Sequence, residues 1–337
     1  MTSRIVPPRG ALADLHLHYE GSLPLSEMTR LAGLRGHRFA DAAVFGRERA
    51  AMRGPADFLE LYRGVCGLTR SPEDHLLLAE EMSRELARSG LARAEVYVSP
   101  EIFAILGQDP AACLEAVAAG FAQGESSGGA TCRVLLDAVR HWGPESAARV
   151  LDLHERRPLP GVVGFGIGGD EAAAPPRDFA KIYERARGLG LRTSVHAGEW
   201  AGAGSVREAL DHLRPDRIDH GVRAAEDPEL LRRLAGEGIV LCVAPSGNVA
   251  TGVVPSLAAH PMPRLLAAGV AVALSADDTL LFATTTANEY RAARETLGCS
   301  AGQLRAMAEN AWKAAFATAE ETAEGRRGLE TLDFGAL

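Results

Sequence analysis

Eight short runs of β-branched and apolar residues, each followed by sequence with helical periodicity, constrain this 337-residue chain more than any other feature. They are Ala13–Tyr19, Ala94–Pro100, Thr131–Val139, Val162–Gly168, Arg192–His196, Arg217–Gly221, Ile239–Ala244 and Val270–Ser275. Near-continuous apolar runs are what parallel strands buried on both faces require. Strands alternating with helices imply right-handed βαβ units. Eight such units predict an α/β fold, a (β/α)8 TIM barrel, whose usual length of about 250 residues fits within the chain. The surplus falls between strands one and two, at about residues 24–90, and at the C-terminus, where extra helices are expected. Residues 1–337 are thus expected to be one barrel domain with a helical insertion over 24–90. An open doubly wound sheet is the alternative, but no G-x-G-x-x-G follows the first strand. Helix starts are legible too. Ser71 before Pro72 reads as an N-cap for a helix running to about Arg88, and Ser300 with Gln303 as a capping box before Leu304–Ala317.

Composition excludes several classes of function. A net charge of −8 argues against nucleic acid as a partner, because phosphate binding needs clustered Lys and Arg. No apolar run approaches the ~18–20 residues of a membrane span. Met1–Gly10 has no apolar core of a secretory signal. The five cysteines, Cys66, Cys113, Cys132, Cys242 and Cys299, are scattered without a C-x-x-C, which reads as free thiols in a reducing cytoplasm. No feature sets an oligomeric state.

In a barrel, polar residues at the C-terminal ends of the strands form the active site. Strand one ends in His16-Leu17-His18, and a strand puts i and i+2 on one face. Strand five ends in His196-Ala197-Gly198-Glu199, strand six in Asp219-His220-Gly221, and strand eight in Asp277-Asp278. Singly, each cluster has an ordinary structural explanation; together they fall at one end of one barrel. Three imidazoles and a carboxylate suit a borderline divalent cation such as zinc. A glutamate three residues after a ligand histidine sits where a proton carrier is needed. The glycine cluster Gly164–Gly169 lacks the Lys-Ser/Thr of a phosphate loop, so close backbone approach to a flat ligand explains it better. His37, His75, His154, His212 and His260 have no partner pattern and read as packing or surface residues; His141 is placed at the pocket border.

At this point the motifs resemble the adenosine/adenine deaminase family of metal-dependent amidohydrolases. The matching segments are DLHLHYEGSL (Asp14–Leu23), EVYVSPEIF (Glu95–Phe103), GFGIGGDE (Gly164–Glu171), SVHAGEWAGAGS (Ser194–Ser205), RIDHG (Arg217–Gly221), APSGN (Ala244–Asn248) and SADD (Ser275–Asp278), in family order. The resemblance implies a hydrolytic purine deaminase in which His16, His18, His196 and Asp277 bind one zinc ion per chain. Glu199 would be the proton shuttle, and His220 with Asp277 would orient the attacking water. Asp278 would meet purine N7 and the Gly169 backbone purine N3. Phe58, Leu59 and Tyr62 match a helical lid, with core packing the equal alternative. Strand four carries no lysine, so the two-metal form of such barrels is not expected, and the absence of P-C-x-x-C excludes the cytidine-type zinc deaminases.

Departures from the family pattern bear on substrate. Glu20 stands where adenosine deaminases carry an aspartate that contacts the ribose 5′-hydroxyl. Tyr97 replaces a usual arginine, Gly166 a common aspartate, and APSGN the usual proline-threonine/serine-asparagine turn. These departures rank a modified adenosine such as aminodeoxyfutalosine, an intermediate of menaquinone biosynthesis, first. Adenosine comes second and free adenine third. A catalytically silent purine-binding relative is the reading from another functional class.

Overall fold

The structure, a computed structural model, describes residues 10–336. The reading of Met1–Gly10 as free of a secretory signal therefore lies outside it, Gly10 apart. Among the described residues no helix is long and apolar enough to cross a membrane.

Among the described residues, nine strand segments form two parallel runs. The first orders β1 (Leu12–His18), β2 (Leu91–Val98), β3 (Thr131–Val139), β4 (Val162–Gly168) and β5 (Arg192–Thr193) side by side. The second orders β6 (His196–Ala197), β7 (Arg217–His220), β8 (Val240–Val243) and β9 (Ala271–Leu274). The β5 and β6 segments are two halves of the fifth predicted strand. Between them Ser194 N–H donates to Phe165 O on one side, and Val195 O accepts from Asp219 N–H on the other. After β9, Asp277 N–H donates to His16 O at 3.1 Å and His18 N–H to Asp277 O at 3.0 Å, returning the ring to β1. The eight-unit α/β barrel is the result.

The strand interiors explain their burial. All seven residues of β1 except His18 are buried, as a strand with helices on one side and packed barrel interior on the other must be. At the N-terminal end the barrel is closed by charge. Arg217 and Arg93 both pair with Glu95, all at 0–2% exposure. Phe316 seals this network, its N–H donating to Glu95 and its carbonyl accepting from Arg93 at 2.7 Å. Both capping predictions are present: Ser71 caps Pro72–Arg88, and Ser300 with Gln303 boxes Ala301–Ala314, three residues earlier than expected.

The insertion between β1 and β2 holds four helices: α1 (Leu25–Leu34), α2 (Ala42–Ala51), α3 (Pro55–Cys66) and α4 (Pro72–Arg88). The α3 helix lies over the C-terminal mouth of the barrel, where Phe58 stacks on Phe282 with centroids 5.5 Å apart.

Candidate active site

A cavity of about 420 Å³ opens at the C-terminal ends of the strands. It falls within the usual range for small-molecule sites. His18, Phe58, Leu59, Tyr62, Gly169, His196, Glu199, His220, Asp277 and Asp278 all line it. His16 lies at its floor, fully buried. Glu20 is held just behind the wall, accepting from Tyr62 Oη at 2.9 Å. The expected ligand, proton-shuttle, purine-contact and lid residues are thus brought to one place, and His141 borders it as expected.

At the floor three Nε2 atoms converge. His16 and His18 are 3.3 Å apart, His16 and His196 3.0 Å, His18 and His196 3.1 Å. Asp277 Oδ1 stands 3.5 Å from His16 and 3.4 Å from His18. His196 Nδ1 donates to Ile167 O at 3.0 Å, so its Nε2 points a lone pair inward. Burial, then repulsion from His196, pull His16 and His18 toward the neutral form, His18 to about 3. Neutral imidazoles facing one another this closely need a cation between them. Bonds of ~2.0–2.1 Å at tetrahedral angles would put ligand atoms roughly 3.3 Å apart, close to the spacing found. The four residues therefore fit one divalent cation.

Supporting groups hold this arrangement. Asp219 sits behind the imidazoles, 3.9 Å from His16 Nδ1 and 3.7 Å from His196 Nδ1, and accepts from Tyr97 and from Ser194 at 2.7 Å. Asp14 accepts from His16 N–H at 3.0 Å and Ala276 N–H at 2.9 Å, tying β1 to the turn that carries Asp277. Both His220 and Asp277 have φ of 62°, a strained conformation kept where the surroundings enforce it. Gly21 is required for a different reason: a Cβ there would coincide with the carboxylate of Asp278.

Glu199 is buried, with Oε2 3.5 Å from His220 Nε2. Burial, then the neighbouring Asp277 and Glu171, push its carboxyl well above the ordinary range, which favours the protonated form. Its loop is gripped by Glu171, whose carboxylate accepts the N–H groups of Gly198, Glu199 (3.0 Å), Trp200 (2.8 Å) and Ala201 (2.8 Å). The sequence reading passed over that role. It also missed Asp137, which lines the cavity and accepts from Ser99. A carboxylate near the end of strand three was the available signal. Tyr97 and Gly166 were read as marks of substrate; neither lines the cavity, since Tyr97 is buried against Asp219, beneath the imidazoles.

The family model described as "Adenosine deaminase" matches residues 11–330, nearly the whole chain. The chain belongs to the adenosine deaminase family. It is accordingly an aminohydrolase. Among family members, "Adenine deaminase" of Chelativorans sp. (strain BNC1) is 42% identical over 305 residues, 90% of this chain and 93% of that one. The protein of the same name from Rhizobium meliloti (strain 1021) is 40% identical over the same coverage. The crystal structure of adenine deaminase from Arthrobacter aurescens superposes with a TM-score of 0.89 at 29% identity, covering 95% of this chain and 98% of that one. An amidohydrolase from Burkholderia ambifaria, solved with bound Zn, superposes at 0.87 with 25% identity, covering 97% and 91%.

Proposed function

We propose that this chain deaminates 6-aminopurines, with free adenine the preferred substrate, using one zinc ion held by His16, His18, His196 and Asp277. The observation that carries the substrate is a wall of unsatisfied acceptors. Glu20 Oε1 and Asp137 Oδ1 are both buried and have no hydrogen-bond partner among the described residues. Such atoms cost free energy until a ligand supplies donors. A free purine carries a ring N–H that a nucleoside has exchanged for sugar, so it can supply a donor to such an acceptor. The same carboxylates repel a 5′-phosphate. The names of the relatives support the same ranking. Free adenine therefore moves ahead of the modified adenosine that the sequence ranked first, because Tyr97 and Gly166 do not line the cavity.

When bound, zinc would bring a water to a pKa of roughly 7 and so make hydroxide available at neutral pH. The protein groups do the rest. His220 and Asp277 hold the attacking oxygen against C6. Glu199, protonated at rest, gives its proton to N1 as the C6–N1 double bond opens. Asp278, whose carboxyl burial and Asp277 hold well above the ordinary range, donates to N7. The Gly169 N–H meets N3. The carboxylate thus left on Glu199 carries the hydroxyl proton of the added oxygen to the amino group, and the C6–N6 bond breaks to release ammonia. Phe58, Leu59 and Tyr62 on α3, with Phe282 opposite, keep solvent from the ring; we take residues 24–90 as a lid within a single catalytic domain.

Ammonia release measured side by side on adenine, adenosine, aminodeoxyfutalosine and methylthioadenosine tests the proposal. Adenine is expected to show the highest kcat/KM. A nucleoside exceeding it rejects the free-base reading, and no release from any of the four rejects the function.

A further inference from the structure

Behind His220 runs a chain of hydrogen bonds that ends on a backbone amide. Asn248 and His260 are both buried, although the sequence shows no partner pattern for His260. The Met262 N–H donates to His260 Nδ1 at 3.1 Å. A backbone N–H only donates, so that nitrogen accepts and the ring proton resides on Nε2. Burial pulls His260 down to about 4, leaving the ring neutral near pH 7. Its Nε2–H donates to Asn248 Oδ1 at 3.1 Å. This fixes the amide, because turning it over would set NH2 against N–H. The Asn248 NH2 then faces His220 Nδ1 at 3.2 Å and can only donate to it. The ring proton of His220 must be on Nε2, which faces Glu199 Oε2 at 3.5 Å and Asp277 Oδ2 at 3.8 Å.

We infer that Asn248 and His260 are positioning residues that lock His220 in the Nε2–H tautomer, so that His220 offers the reacting oxygen a hydrogen-bond donor and does not take its proton. With Nδ1 accepting from Asn248 and Nε2 protonated, the ring has no free lone pair. The direction of the whole chain is set by one amide of the turn at Met262. The APSGN turn thereby gains a role: the helix Pro245–Ala250 carries Asn248 to the back of the site. Only the kinetic part of this inference rests on the proposed deamination.

The test uses the full-length, zinc-loaded protein labelled with 15N-histidine, with the ring nitrogens of His220 assigned by comparison with His220→Gln. His220 is expected to be protonated at Nε2 and bare at Nδ1. Asn248→Asp puts an acceptor against both histidines and should move the His220 proton to Nδ1. It should lower kcat about 10–100-fold, as removal of partners that orient site groups commonly does, with zinc content unchanged. KM should stay within about twofold, since the lost interaction acts on the reaction and not on binding. His260→Gln can still donate to Asn248 and should retain activity that His260→Leu loses. A wild-type His220 protonated at Nδ1, or equal losses in the two His260 variants, would overturn the lock, and both can be read if Asn248→Asp fails to fold. An unchanged tautomer in a folded Asn248→Asp would overturn it too. The tautomer is read without substrate, so turnover of no purine would reject the deaminase assignment and leave the lock standing.

Discussion

The ring of Tyr97 fills the space that a side chain on Gly166 would need: a Cβ there would lie 2.6 Å from Tyr97 Cε1 and 2.8 Å from its hydroxyl. The two departures from the family pattern, at Tyr97 and Gly166, are thus in contact with each other. An aromatic ring here lies against bare backbone. The ring stacks beside His18, centroids 5.2 Å apart, and its hydroxyl reaches Asp219. Gly166→Ala should push the ring into the imidazoles. Overpacking of this kind costs about 1–3 kcal/mol. A lower Tm and weaker zinc affinity by titration are expected, and an unchanged zinc affinity would show the ring to be independent of the cation site.

Glu199→Gln keeps the shape of the side chain and removes its proton. Zinc content should equal that of the wild type, while kcat falls about 10²–10⁴-fold, the usual contribution of a positioned general acid. The pH profile follows in sign. Because the carboxyl is raised well above its ordinary range and must be protonated to act, kcat should fall as pH rises through that raised value. A variant that turns over at near-normal rate excludes the proton-shuttle role.

Glu171 acts on Glu199 through the backbone. Glu171→Ala strips a carboxylate from four N–H groups, and Glu171→Gln keeps one acceptor oxygen but adds a competing NH2. Tm should drop in both, more for Ala. Displacing the loop by even ~1 Å should lower kcat about 10²-fold. Kinetics of the two variants that match the wild type would mean that the loop holds its shape unaided.

Glu20 makes stability depend on pH. Burial raises its carboxyl from 4.5 to about 7 in the folded chain. The folded state thus binds its proton more tightly than the unfolded one. The contribution is fully present below about pH 4.5 and is lost as pH rises through about 7. Glu20→Gln, which can still accept from Tyr62, should lose less Tm between pH 5 and pH 8 than the wild type, measured by calorimetry. Parallel curves would place Glu20 in contact with solvent.

What was legible in the sequence follows from the range of the interactions. The β3 and β4 boundaries, Thr131–Val139 and Val162–Gly168, coincide with expectation, because burial on both faces writes itself into consecutive residues. The two-residue period likewise put His16 and His18 on one face. The fifth strand was read as continuous from Arg192 to His196, yet its middle passes its hydrogen bonds from one neighbour to the other and splits. Asp14, Asp137, Glu171 and His260 were missed for a shared reason. Their partners are Ala276, Ser99, the Gly198–Ala201 loop and Asn248, and nothing in local spacing announces those pairings. Tyr97 and Gly166 were weighed singly, because the contact between strands two and four that joins them is not written in local spacing.

The ring of strands is joined most sparingly at two places, between β5 and β6 and between β9 and β1. His196 begins the segment after the first of these seams, and His16, His18 and Asp277 flank the second. A cation gripped by all four would work as a rivet through both seams at once. Chelation should then loosen the staves before the outer hoop of helices, with faster amide exchange appearing first at Ser194, Asp219 and Asp277, whose N–H groups bond across the seams.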